Sequence, residues 1–207
     1  MSIYVQFMAV MDKGGPVMWV IFLTACVVLS MTAWEGLRLF RVARVARLEY
    51  SRLLTNAEFV PPRAGNSPVA QLLDLLNWQE VENREDFAKE MQIHMTEIMP
   101  RLEGGLATIA TLGTLLPMLG LLGTVTGMIN VFEVVAVHGT GKPAELAYGI
   151  SQALLTTAGG LIIAIPVIFL HHLLVRRVTV LTALTSQAMH VLLHRDIAVL
   201  KRARRHE

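Results

Sequence analysis

Charge is scarce in this chain of 207 residues. Asp, Glu, Lys and Arg make up 16% of it, against about 25% in soluble domains, and the mean hydropathy is +0.53. This argues against disorder, an ordinary soluble enzyme and a nucleic-acid-binding domain. Cysteine is nearly absent. Cys26 alone forbids an intrachain disulfide and a cysteine metal cluster; inside an apolar run it reads as a small buried side chain. There is no P-loop, no Gly-rich dinucleotide fingerprint and no HExxH, so no cofactor and no enzymatic activity are expected. Gly149-Ile150-Ser151-Gln152-Ala153 has only the outline of a serine nucleophile motif. The nearest bases, His171 and His172, would lie roughly 30 Å further along the same helix. They read as markers of a membrane interface.

What the sequence has instead is long apolar runs. A membrane helix needs roughly 20 of them in succession. Three stretches qualify, at residues 17–34, 106–137 and 146–175. Trp19 and Trp34 sit near the two ends of the first, where an aromatic belt would place them. The fold class expected is therefore an all-α membrane protein with three transmembrane helices. Basic residues set the orientation. Arg38, Arg41, Arg44, Arg47 and Arg52 follow the first span, and Arg176, Arg177, Arg195, Lys201, Arg202, Arg204 and Arg205 follow the third. Lys13 and Lys142 are the isolated exceptions on the other side. The positive-inside rule puts segment 1–16 outside, 35–105 inside, the 138–145 turn outside and the basic helical tail 176–207 inside.

Two processing alternatives fail on the same residues. Leu23-Thr24-Ala25-Cys26 resembles a lipoprotein cleavage box, but apolar sequence continues to Ala33 and cleavage would halve the span. A cleaved secretory signal would carry its positive charge on the opposite flank.

The inside loop changes character. Arg38, Arg41, Arg44 and Arg47 recur at three-residue steps among Leu37, Phe40, Val42, Val45 and Leu48, an amphipathic helix that prolongs the first span past the membrane, its basic face beside lipid head groups. Pro61-Pro62 and Gly65-Asn66-Ser67-Pro68 break the chain. A short helix is expected from Leu72, and a polar-faced one from about Glu80 to Glu103 with a bend at Pro100. The tail after Arg177 is also expected to be helical, so two of the three membrane helices extend into the cytoplasm.

The second and third spans are more than anchors. Ala110, Gly113, Pro117, Gly120, Thr124 and Gly127 fall at alternating steps of three and four, as do Gly149, Ala153, Thr157, Gly160 and Ala164. Each set makes a stripe of small residues, which lets helix backbones approach closely in lipid. The first span, rich in Val, Leu, Ile and Phe, fits the lipid-facing layer. A threonine hydroxyl can return to its own helix, but the amide of Gln152 is costly in a span without partners. No carboxylate lies in the central part of any span. Membrane proton paths use protonatable groups at depth, so a proton crossing here would need a titrating group from another chain.

These residues resemble a known family. Leu106-Ala107-Thr108-Ile109-Ala110 and Leu116-Pro117-Met118-Leu119-Gly120-Leu121-Leu122-Gly123-Thr124-Val125-Thr126-Gly127-Met128 resemble the second membrane helix of the MotA/TolQ/ExbB proton-channel family. Gly149-Ile150-Ser151-Gln152-Ala153-Leu154-Leu155-Thr156-Thr157-Ala158-Gly159-Gly160-Leu161, followed by Ala164-Ile165-Pro166, resembles its third. The three-span plan and the Gly14-Gly15-Pro16 opening are similar to the ExbB branch. The resemblance implies a homo-oligomeric ring, typically a pentamer, in a bacterial inner membrane, with a periplasmic N-terminus and a cytoplasmic C-terminus. It implies an ExbD-like single-span partner that contributes an aspartate at membrane depth, and a TonB-like or TolA-like protein set in motion by proton passage. It places Thr124, Gln152 and Thr157 along the pore, Gly113, Pro117, Gly120, Gly127, Ala153, Gly160 and Ala164 in helix packing, and Arg176 and Arg177 at the inside rim. Many members carry glutamate where this chain has Gln152, and glutamine cannot titrate.

Overall fold

The computed structural model describes residues 3–62, 65–140 and 142–205, with the backbone alone for residues 3 and 203–205. Residues 1–2 of the outside segment, 141 of the outside turn and 206–207 of the basic tail lie outside the described residues. Among the described residues every regular element is an α-helix: α1 (Ile3–Thr55), α2 (Pro68–Leu75), α3 (Arg84–Glu103), α4 (Leu106–His138), α5 (Pro143–Leu193) and α6 (Ile197–Arg205). Three stretches are long and apolar enough to cross a membrane: Tyr4–Thr55, Arg84–His138 and Pro143–Leu193. The chain is a multi-pass membrane protein.

Burial along α1 follows a seam. Met11, Gly14, Met18, Ile21, Ala25, Val28, Thr32, Glu35 and Leu39 are buried at alternating steps of three and four. Between them Leu23, Val27, Leu29, Leu37 and Phe40 are exposed. A seam at this period touches protein along one narrow line, and hydrocarbon suits the remainder. Cys26 falls beside the seam and is exposed, which corrects the expectation of a buried side chain: its neighbour Ala25 holds the inward position.

The chain divides into two compact units, Met1–Ala33 with Ala107–His172, and Trp34–Leu106 with Leu173–Glu207. The first contains the α4–α5 pairing described below. The second has its own hydrophobic core, in which Leu53, Leu73, Val81, Phe87, Met91, Leu192 and Leu200 are buried together. Local signals set its helix starts. The Ser67 hydroxyl accepts from the Ala70 N–H at 3.0 Å, and Pro68 occupies the first helical position, where a missing N–H costs nothing. α2 therefore starts before the Leu72 onset expected from hydrophobic spacing. Asn83 caps α3 by accepting from the Asp86 N–H at 2.9 Å, so that helix begins at Arg84 rather than near Glu80. Arg195 gathers the end of α1: its guanidinium donates to the carbonyls of Leu53, Asn56 (2.9 Å) and Phe59. Burial pushes the Arg195 pKa down.

The bend expected at Pro100 falls elsewhere. Pro100 stays inside α3, and the chain turns at Gly104, whose φ of 52° suits glycine. Two side chains of α1 hold this junction. The Glu35 carboxylate accepts from the Gly105 N–H at 2.9 Å, and Arg38 donates to the Leu102 carbonyl at 2.9 Å. Glu35 and Arg38 also pair at 2.8 Å. A Cβ on Gly104 would collide with the Arg38 guanidinium.

Candidate functional site

α4 and α5 face each other through their small-residue stripes. A Cβ on Gly120 would stand 3.0 Å from Thr157 Cα and 3.1 Å from the Thr156 carbonyl oxygen. On Gly127 it would stand 2.8 Å from Ala153 Cβ, and on Gly160 2.6 Å from the Leu116 carbonyl oxygen. Gly113 is looser, its neighbours being the Val167 and Ile168 side chains at 3.2 and 3.5 Å. Backbone therefore meets backbone over the middle of the pair, which is how helices gain van der Waals contact in lipid. Ala153 and Ala164 are buried. Pro117 is partly buried in α4; lacking an N–H, it cannot bond the Gly113 carbonyl one turn earlier.

Two seam residues escaped sequence reasoning. A Cβ on Gly123 would collide with the Thr156 hydroxyl, and Thr156 is fully buried. Gly120, Gly123 and Gly127 obey the three-four spacing as well as Gly120, Thr124 and Gly127 do, so the period alone does not choose between neighbours.

The threonines differ in what they bond. Thr157 donates across the seam to the Gly120 carbonyl at 3.1 Å. Thr124 is partly exposed and returns its hydroxyl to the Leu121 carbonyl at 2.6 Å. Thr156 donates to the Ala153 carbonyl at 2.8 Å, and Thr111, Thr114 and Thr126 likewise bond their own helix. Thr157 is the residue among these whose hydroxyl joins two spans.

Gln152 lies against α1. α1 is interrupted at Gly15 (φ 67°, ψ −163°) and Pro16 follows. The Gln152 side-chain amide donates to the Gly14 carbonyl at 3.4 Å, and one helical turn away the Tyr148 hydroxyl donates to the Asp12 carbonyl at 3.4 Å. Conformation requires glycine at position 15, and a Cβ there would also have to displace the Gln152 amide. Gln152 also lines a mainly apolar cavity of about 410 Å³ with Asn130, Val134, Ala144, Glu145, Tyr148 and Gly149. At its rim, the hydrogen bond from Lys142 (2.9 Å) and that residue's charge hold the Glu145 pKa below the ordinary carboxylate value. Arg176 and Arg177 are exposed on α5, in the second unit, and neither forms an ion pair among the described residues.

The chain is similar to proteins of known name. A family model described as the MotA/TolQ/ExbB proton channel family matches residues 65–187, the interval that contains α4, the cavity beside Gln152 and most of α5. The biopolymer transport protein ExbB of Pseudomonas putida is 29% identical over 176 residues, covering 78% of this chain and 54% of that protein, so the chain spans about half the length of this relative. ExbB of Neisseria meningitidis serogroup A is 26% identical over 196 residues, covering 84% of this chain and 89% of that one. The Tol-Pal system protein TolQ of Pseudomonas aeruginosa is 32% identical over 88 residues, 42% of this chain and 38% of that protein. With more than half its length matched by the family model, and with the paired small-residue helices in that interval, the chain belongs to the MotA/TolQ/ExbB proton channel family as an ExbB-like member.

Proposed function

We propose that this chain is the ring-forming subunit of a motor driven by the proton-motive force, in which a homo-pentamer surrounds the membrane helices of an ExbD-like partner and energises a TonB-like protein for outer-membrane transport. The observation that carries the reading is the α4–α5 seam: its polar side chains are threonine hydroxyls, with the Gln152 amide beside it against α1, and no carboxylate lies in it. Such a lining can hydrogen-bond a carboxylate, or water beside it, through a change of charge, but cannot itself accept the proton. An aspartate on a single-span partner supplies the missing group. Thr124 and Thr157 are the pore-lining hydroxyls, and Gln152 contributes from the cavity at the outer end.

The protein sits in the bacterial inner membrane with its N-terminus periplasmic and its C-terminus cytoplasmic. Arg176 and Arg177 form the inside rim and meet lipid head groups, as does the basic face from Arg38 to Arg47. A TolQ-like role in envelope maintenance is the second reading, favoured by the identity to a TolQ protein over 88 residues.

The test is gentle extraction from the native membrane followed by mass spectrometry of the intact assembly. A ring that retains a small single-span protein bearing a mid-membrane aspartate is the expected result. A ring without one would leave the lining with no titrating group and would turn the assignment to a non-conducting scaffold.

A further inference from the structure

The break in α1 leaves the Asp12 carbonyl without its helical donor. Pro16 has no N–H, so the Asp12 carbonyl, four residues before it, loses its helical partner. The Gly14 carbonyl stays within the helical run and lies beside the residue whose φ and ψ leave the helix. A carbonyl left unpaired in an apolar setting is costly. The two donors that reach these carbonyls come from one face of α5, one turn apart: Tyr148 to Asp12 and Gln152 to Gly14. Neither is local, the pairs being separated by 136 and 138 residues.

We infer that Tyr148 and Gln152 act as positioning residues, a two-point staple that holds the Gly14–Gly15–Pro16 break of α1 against α5 at the outer mouth by donors that keep their hydrogens as protons come and go. A phenol and a carboxamide donate in their neutral forms, whereas a carboxylate at position 152 donates only when protonated and, ionised, would set an oxygen against the Gly14 carbonyl. The charged groups around the staple are Asp12 and Lys13 on α1, both exposed, and the Lys142–Glu145 pair at the start of α5. α4 contributes neutral Asn130 to the adjoining cavity, with Glu133 and His138 exposed and the charge of His138 acting on Glu145. Whatever the charge on these groups, the two staple donors keep their hydrogens. Gln152 is shared with the proposed pore, yet the staple is a statement about packing and stands or falls without any proton flux.

Hydrogen–deuterium exchange on the full assembly in nanodiscs tests it, read on peptides spanning the α1 break, corrected for intrinsic exchange and referenced to a peptide from the α4–α5 seam. The wild type is expected to keep the same protection at pH 6 and pH 8.5. Gln152→Met and Tyr148→Phe should each speed exchange around the break about fivefold at both pH values, the effect of one lost hydrogen bond on a local opening. Gln152→Glu should do so at pH 8.5. Seam protection unchanged from wild type marks the loss as local. Wild-type protection in Gln152→Met, in Tyr148→Phe or in Gln152→Glu at pH 8.5 would overturn the staple, and pH-dependent protection in the wild type would overturn its invariance.

Discussion

The hydroxyl of Thr157 on α5 donates to the carbonyl of Gly120 on α4 at 3.1 Å, and the same two residues approach so closely that a Cβ on Gly120 would stand 3.0 Å from Thr157 Cα. One pair thus combines the tightest kind of helix contact with a polar group shared between two spans. Close packing and hydroxyl placement depend on each other here: a larger residue at 120 would push away the helix that carries the hydroxyl.

Gly120→Val should therefore disrupt more than Gly113→Val. At 120 the obstacles are backbone atoms of Thr156 and Thr157, which cannot rotate aside. At 113 they are the Val167 and Ile168 side chains, which can. Overpacking of this kind costs about 1–3 kcal/mol. Thermal unfolding in mild detergent should show a clearly lower midpoint for Gly120→Val; equal midpoints for the two variants would contradict a backbone-to-backbone seam.

Thr157→Val keeps the shape and removes the donor. The Gly120 carbonyl retains its helical position, so the stability loss should stay within about 0.5–1.5 kcal/mol. Proton flux through reconstituted assemblies should fall at least tenfold, and Thr157→Ser should restore most of it. Thr156→Val serves as the comparison, because the Thr156 hydroxyl bonds its own helix. Full flux in Thr157→Val with the ring intact would remove Thr157 from the path.

At the α3–α4 junction, Glu35→Leu should destabilise the second unit more than Glu35→Gln. The amide oxygen of glutamine can still accept from the Gly105 N–H; leucine leaves both Gly105 and Arg38 without their partner. Since Arg38 keeps about a third of its side chain exposed, solvent screens its charge, and the cost is about 1–2 kcal/mol rather than that of a fully buried pair. Denaturant unfolding monitored by Trp78 fluorescence would rank the two variants, and a reversed rank would count against the clamp.

Glu145 has a pH dependence of defined sign. Its carboxyl is held below the ordinary glutamate value, first by the hydrogen bond from Lys142. A carboxylate whose folded pKa is depressed adds stability above its unfolded pKa and loses it as pH falls through the folded value. The contribution is thus present at neutral pH and disappears on acidification below about 4.5. Carbon-13 NMR of labelled Glu145 should show titration at higher pH in Lys142→Met than in the wild type. Coincident curves would mean that the pair does not form in solution. Added salt should narrow the difference, because the pair is exposed.

Hydropathy and charge patterning by themselves determined the three membrane helices, the class of fold and the stripes on which α4 and α5 meet. They could, because an apolar run of sufficient length and a period of three and four residues are properties of one segment at a time. The motifs Leu116–Met128 and Gly149–Leu161 likewise carry the family within two unbroken stretches. Even there the period left a choice, and the tertiary structure decided it: Gly123 and Thr156 enter the seam beside Gly120 and Thr157, since neighbouring positions on a helix satisfy the same spacing equally well.

Only the tertiary structure decided what Gln152, Glu35 and Arg38 do. Each bonds backbone that lies far away in the chain, at separations of 138, 70 and 64 residues. The structure breaks α1 at Gly15 and turns the chain at Gly104, where the sequence alone predicts a bend at Pro100. Which side chains would cover the exposed peptide groups depended on how distant helices came together. Local chemistry states that such groups require partners; the packed fold selects them.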